Sequence, residues 1–443
     1  MIRYTRVFII ILLAFIAFGA NAQSTATTSS PYSQYGLGDM YPQLLPQTAA
    51  MGGIATAINR INLYNNINPL NPASYGAIGF TTIDAGIYAN SMSLSQTGQP
   101  GATNTNFRLS HLAFGIPVSR RSALSFGLLP YSQVGYNYKK TQTGFGSGLP
   151  VDTNVTNYTY SGDGGLSKAY FGYGFGIGKH LLIGGNISYI FGNLQKFSTT
   201  EIPALYGTLN NKIEKSNSIG GVNYDYGVQY SFDFGEDKIQ HLVLGYSASA
   251  SSKINSTNTY IVSQYSLGPN GVANNAADSL INSQSSKTKI QLPQVNHFGI
   301  SYQKDGHFLV GADYTMGHWS SFEMDGSNQG FRDSRTINVG GQFTPNIISL
   351  HNYFARMDYR LGFMYDQSYL NLFNTNIKSY AATFGFGFPL APNSAGTSFY
   401  KINFAAEIGQ RGTVANGLVK ENYVTLHLGF TLNDRWFQKF KFE

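Results

Sequence analysis

Eight histidines, at 111, 180, 241, 297, 307, 318, 351 and 427, are the side chains best suited to proton transfer near neutral pH. A lipase-type barrel enzyme needs one of them next to a nucleophilic serine and an orienting acid or amide. They are scattered along the chain, and none is read as part of a serine motif. No spacing of carboxylate and histidine suggests a metal site, and the absence of cysteine excludes disulfides and thiolate ligands. Glycine-rich stretches such as FGYGFGIG alternate with aromatic residues and open no helix, so they are not phosphate loops. The net charge of +7 forms no basic stripe, which argues against a nucleic-acid partner. The expectation is a protein that is not an enzyme and needs no cofactor.

The chemistry left to explain is a set of isolated charges: Asp84, Asp225, Asp313, Arg360, Asp366, Lys401, Glu407 and Arg411. Each lies in a stretch whose apolar residues alternate with small or polar ones, the period of an extended strand. In Glu421–Asp434, for example, Val424, Leu426, Leu428, Phe430 and Leu432 fall on one face; Thr425, His427, Gly429 and Thr431 fall on the other. Likewise Phe171, Tyr173, Phe175 and Ile177 stand opposite Gly172, Gly174 and Gly176, and Phe384, Phe386 and Phe388 opposite Gly385 and Gly387. Stretches of about ten residues with this pattern suit strands that cross a bilayer at a tilt. The apolar face then meets lipid, and the charges face the lumen. There they are expected to pair across strands or brace a plug, since a Lys or Arg on the lipid face costs roughly 2–4 kcal/mol at mid-depth.

About fourteen such strands are expected, centred on 83–89, 107–116, 123–134, 168–177, 181–191, 221–232, 241–250, 295–303, 308–319, 336–344, 358–370, 380–390, 400–410 and 422–432. Compact turns (Ser119 to Arg121, Gly178 to His180, Lys304 to Gly306) follow even-numbered strands. Long polar connectors (135–163, 195–219, 251–290) follow odd-numbered ones. The fold class is therefore all-β: a transmembrane antiparallel barrel. Its composition agrees, with 31 Tyr, 31 Phe and 50 Gly at a mean hydropathy of −0.15.

Arg3 and Arg6, an apolar run from Val7 to Phe18 and the small residues Gly19 to Ala22 read as a signal peptide over 1–22. Without it, 27 cationic residues face 22 acidic ones, a charge of about +5. Residues 23–79 are read as a linker and plug. Pro42, Pro46, Pro69 and Pro72 prevent long regular elements, with one short helix expected over 47–58. Irregular backbone cannot lie in lipid, so this segment belongs in the lumen or the periplasm. The barrel is assigned 80–434 and a periplasmic tail 435–443, with both termini in the periplasm. The tail, RWFQKFKFE, either holds a periplasmic partner or lies at the inner membrane interface.

Pro130, in LLPYSQ, removes a ladder hydrogen bond from the third strand. Either a lateral opening in the wall or the start of an extracellular loop follows.

Taken together, the signal peptide, irregular plug, Asn71-Pro72-Ala73 just before the first strand and a proline in the third resemble the FadL-like outer-membrane transporters of fatty acids and hydrocarbons. SPYSQYGLGD and GQRGTVANGLVKENYVTLHLGFTLNDRWF are similar to a Bacteroidota branch of such barrels. The resemblance implies passive uptake of hydrophobic, fatty-acid-like molecules across the bacterial outer membrane, with Asn71, Pro72 and Ala73 at the plug–barrel junction. It offers no ligand motif to carry over residue by residue. Within that branch the alternative is a non-catalytic accessory or plugging subunit of a larger outer-membrane complex, for secretion or barrel assembly. Expected partners are outer-membrane lipid and lipopolysaccharide, a hydrophobic ligand, and other outer-membrane or periplasmic proteins.

Overall fold

The alternation of apolar and polar residues becomes a continuous ring of main-chain pairing. The computed structural model describes residues 30–61, 66–143, 155–203, 208–235, 239–268, 272–274, 278–391 and 398–435. Fourteen antiparallel strands form one barrel. They are β1 (Thr81–Ser95), β2 (Ala102–Ser119), β3 (Ser122–Gln133, continued by Tyr136–Thr143), β4 (Val155–Ile177), β5 (Leu181–Glu201), β6 (Asn210–Phe234) and β7 (Gln240–Ser249, continued by Lys253–Tyr265). The remainder are β8 (Asp278–Gln291, continued by Val295–Lys304), β9 (Phe308–Gly317), β10 (Ser334–Phe343), β11 (Asp358–Leu372), β12 (Thr375–Pro389), β13 (Phe399–Gly412) and β14 (Lys420–Asp434). β14 closes the ring by pairing with β13 on one side and β1 on the other, from Thr81 opposite Asp434 to Ser95 opposite Lys420.

Every expected strand centre falls in one of these strands, and the parity of faces holds. Phe171, Tyr173, Phe175 and Ile177 on β4, and Val424, Leu426, Leu428 and Phe430 on β14, are exposed on the outside. So broad an apolar belt is covered only by hydrocarbon. Among the described residues no helix is long and apolar enough to cross a membrane.

Two expectations change. The connectors read as long loops are largely strand: β3 to β8 run on past the belt, as in the pairing of β4 with β5 from Ile177–Leu181 up to Asn157–Glu201. Their upper halves are Thr-, Ser- and Asn-rich on both faces, so no apolar period marks a ladder that main-chain bonds nevertheless continue. The helix expected over 47–58 is a single turn, Pro46–Ala49. Gly52 and Gly53, at φ +71° and +85°, turn the chain away. Ser30 donates its N–H to Gly135 O at 2.9 Å, on the long-connector side of the barrel, whereas Asp434 lies at the short-turn end. The expected signal peptide, most of the linker and tail residues 436–443 lie outside the described residues.

Residues 30–61 and 66–78 lie inside the lumen, mostly buried. A 3-10 turn (Pro31–Gln34), the helical turn, a two-residue strand (Asp39–Met40) and a second 3-10 turn (Pro72–Ala77) are their only regular pieces. At the short-turn end, the connector 344–357 carries one helical turn, Tyr353–Arg356.

Candidate functional site

The inward glycines decide where the lumenal segment sits. A Cβ on Gly184, Gly227, Gly245, Gly340, Gly362 or Gly429 would collide with Pro72, Asn71, Thr56, Met51, Gly52 or Pro46 respectively. A belt of missing side chains thus admits irregular backbone against the wall. Polar groups on both sides satisfy that backbone. Asp313 accepts the N–H groups of Ala55 and Thr56 at 2.8 and 2.7 Å, Gln229 donates to Thr56 O at 2.9 Å and Ser301 donates to Ala57 O at 2.8 Å. Asn71 caps the second 3-10 turn by accepting Ala73 N–H at 3.1 Å, and its Nδ2 donates to Thr56 O at 2.7 Å and Tyr246 O at 3.3 Å. Asn71, Pro72 and Ala73 therefore stand where the segment meets β4 to β7, Ala73 fully buried.

The eight lumen charges all point inward, and each has an ionic or hydrogen-bond partner. Asp225 meets Lys168 at 2.7 Å, across β5. Arg360 and Lys401 share Asp358 at 2.8 and 2.7 Å, and Arg360 also donates to Gln342 and Asn403. Asp84 meets His111 at 2.7 Å and accepts from Thr431 at 2.7 Å and Gln47 at 3.3 Å. Arg411 alone among them forms a described ion pair with the lumenal segment, to Asp39 at 2.7 Å. Asp366 accepts from Thr336 at 2.7 Å, and Glu407 from Tyr423 at 2.8 Å.

Sequence reading missed the partners. Lys168, Asp358 and Glu421 occupy inward positions that parity alone would have marked. His111 was not legible, because a shift in the β1–β2 register between Gly86 and Ile87 turns both Ser110 and His111 inward. The shift produces a buried row in which Ser110 Oγ lies 3.1 Å from His111 Nδ1, and His111 Nε2 lies 2.7 Å from Asp84. Asp84 on β1 is also bonded to β14 and the lumenal segment, so with β2 the row ties four elements together.

Between the segment and the long-connector end lies a cavity of about 510 Å³. Tyr41, Tyr88, Tyr131, Trp319 and Tyr369 give it aromatic walls, and Leu129 and Pro130 form part of one side. Five carboxylates (Asp39, Asp313, Asp366, Glu407 and Glu421) face it against one arginine, Arg411. An apolar cluster including Tyr32, Leu37, Ile190, Phe322 and Leu370 adjoins the cavity through Trp319 and Tyr369, which belong to both.

Pro130 marks a parting of the wall. β2 and β3 pair from Ser119–Ser122 only as far as Leu112–Leu128. Beyond that point β2 stays with β1, while β3 stays with β4, slipping register between Pro130 and Ser132. Phe107 and Leu109, on the separated part of β2, are exposed.

The BamG family model matches residues 1–443. Among solved structures, the chain is similar to the Ralstonia pickettii toluene transporter TbuX: 18% identity, 88% of this chain and 98% of that one covered, TM-score 0.55. The Pseudomonas putida toluene transporter TodX (12%, 90% and 99% covered, TM-score 0.52) and a Pseudomonas aeruginosa FadL homologue (13%, 90% and 100%, TM-score 0.53) are also similar. At such identities the likeness is one of fold. No curated protein matches.

Proposed function

The chain belongs to the BamG family, and from its barrel and lumenal cavity we propose that it conducts uncharged hydrophobic small molecules across the outer membrane by diffusion, without a cofactor. The observation that carries this reading is a cavity of about 510 Å³, walled by aromatic rings, that reaches Leu129 and Pro130 at the parting of β2 from β3. Ligand passes in from the long-connector end, rests against Tyr41, Tyr88 and Tyr369, and leaves sideways past Pro130 into the bilayer. Asn71, Pro72 and Ala73 hold the plug to the wall meanwhile. The fold it shares with toluene transporters is in keeping with such a path.

The lining refines the expected cargo. Among the described lining residues the one Lys or Arg side chain, Arg411, is already paired with Asp39, so an ionised fatty acid finds no free counter-ion there. A neutral aromatic hydrocarbon suits the cavity better. Uptake of radiolabelled toluene and laurate by cells with and without the gene tests this. Toluene uptake is expected to fall on deletion, with laurate little changed; unchanged toluene uptake refutes the reading.

A second reading is an accessory subunit of a larger outer-membrane complex. It is supported by Ile348, Leu350 and Phe354, which are 76, 89 and 69% exposed on the connector at the short-turn end. Such a patch suits a protein or membrane contact. A native pull-down from detergent-solubilised membranes that returns the chain alone, or only copies of itself, removes this reading.

A further inference from the structure

On the outside of the barrel, the last apolar row of β10 to β12 is followed by a cationic one. Ile337, Tyr365 and Tyr380 stand side by side across the three strands, and two residues nearer the long-connector end Arg335, Gln367 and Lys378 form the next row. Arg335 and Lys378 are exposed. With neighbouring strands about 4.8 Å apart, the two cationic positions lie roughly 10 Å from each other. Arg332 joins them: its guanidinium donates at 3.2 Å to Oδ1 of Asn376, two residues along β12 from Lys378.

Neither the lumen nor a neighbouring acid accounts for these charges. The inward neighbours of the row, Thr336, Asp366 and Ser379, line the cavity on the other face of the sheet. Of the acids nearest in sequence, Asp333 is engaged by His318 at 3.4 Å and by Ser320, and Asp366 accepts from Thr336. From Phe343, Tyr359 and Phe386 at the short-turn end up to the cationic row, the outward face of β10 to β12 carries no acidic residue. That face is apolar or aromatic below the row, with Val339, Leu361 and Phe363 exposed. One continuous strip therefore joins hydrocarbon contact to cationic contact.

We propose that this strip binds an anionic glycolipid of the outer leaflet, lipopolysaccharide, with the phosphates of its lipid A on Arg335, Lys378 and Arg332 and its acyl chains along the apolar rows beneath. A phosphate beside a guanidinium or ammonium group makes short, charge-assisted hydrogen bonds. Cationic side chains at the edge of the hydrocarbon meet phosphate headgroups at their own depth. Three cations spread over two strand spacings fit a headgroup with more than one phosphate better than the single phosphate of a phospholipid. Bacterial barrels carry their longer connectors on the outer side, and that is the leaflet the row faces. The site stands apart from the uptake reading, since no cavity residue takes part in it.

Native mass spectrometry of the purified full-length barrel in a non-ionic detergent tests the site, with diphosphoryl lipid A as the probe. Arg335→Gln with Lys378→Gln is compared with Lys139→Gln, which removes an exposed cation from the continuation of β3, in the part that runs on past the apolar belt. Folding of each variant is checked by heat-modifiable migration on gels. The double variant is expected to bind lipid A about tenfold more weakly, and Lys139→Gln as tightly as wild type. Removing both phosphates from the lipid should weaken its binding to wild type by a similar factor and leave the double variant little changed. Inorganic phosphate at millimolar concentration should not displace the lipid, because it brings no acyl chains. Equal lipid A binding by wild type and the double variant, an equal loss in Lys139→Gln, or displacement by inorganic phosphate overturns the assignment. So does tighter binding of phosphatidylglycerol than of lipid A. A protein retained by wild type and lost from the double variant, with lipid A binding unchanged, gives the strip to a protein partner and overturns it too.

Discussion

Asp225 and Lys168 show what a lumen charge does at the scale of one residue. Their side chains are 5 and 1% exposed and 2.7 Å apart, and Ser188 and Ser249 also donate to Asp225. Removing one partner leaves a buried charge without compensation, which typically costs about 3–5 kcal/mol, whereas replacing both with apolar groups is often neutral. Lys168→Met is therefore expected to lower the urea midpoint of the refolded barrel sharply, and Lys168→Met with Asp225→Leu to recover most of the loss. A double variant no more stable than the single would contradict a pairing role. The Ser110, His111 and Asp84 row belongs to the same class. Its acid is already engaged by Thr431 and Gln47, so it reads as a brace between β1, β2, β14 and the lumenal segment.

Elements here are shaped by what their inner faces leave out. β5 carries Gly184 where β-branched or aromatic residues would make a better strand, and the vacancy is filled by Pro72. Gly184→Ala puts a methyl into the Pro72 carbonyl, with an overpacking cost of about 1–3 kcal/mol. Gly178→Ala, at a turn with nothing within 4 Å of the added carbon but φ +60°, costs only local backbone strain of about 1 kcal/mol. The two variants are expected to differ in one readout: proteolysis of the lumenal segment, which rises in Gly184→Ala and not in Gly178→Ala. Equal protection in both would mean that the glycine belt does not seat the segment. The same logic accounts for β2 and β3, where Pro130, lacking an N–H, stands at the point where the ladder slips and the wall parts.

For the whole molecule, two ends of unlike construction set an orientation. Long, polar strand extensions of β3 to β8 rise at one end, and compact turns such as Asp305-Gly306 close the other. An epitope inserted at Gly98, at the β1–β2 tip, is expected to bind antibody on intact cells; one inserted at Gly306 should bind only after the outer membrane is permeabilised. The reverse pattern would invert the barrel and the proposed direction of uptake with it. Much of this architecture is decided by the sequence alone. The alternation of side chains has a period of two whatever surrounds it, so strand number, the lipid face and the inward charges follow from parity. Glycine opposite Phe and Tyr likewise announces that something else fills the lumen. Tertiary structure alone decided which charges meet, that a bulge turns His111 inward, that polar connectors continue as strands, and that Asp39 and Met40 pair with the open edge of β3. These depend on contacts between residues up to hundreds of positions apart, Ser30 with Glu421 among them, and no local period in a chain encodes a partner at that distance.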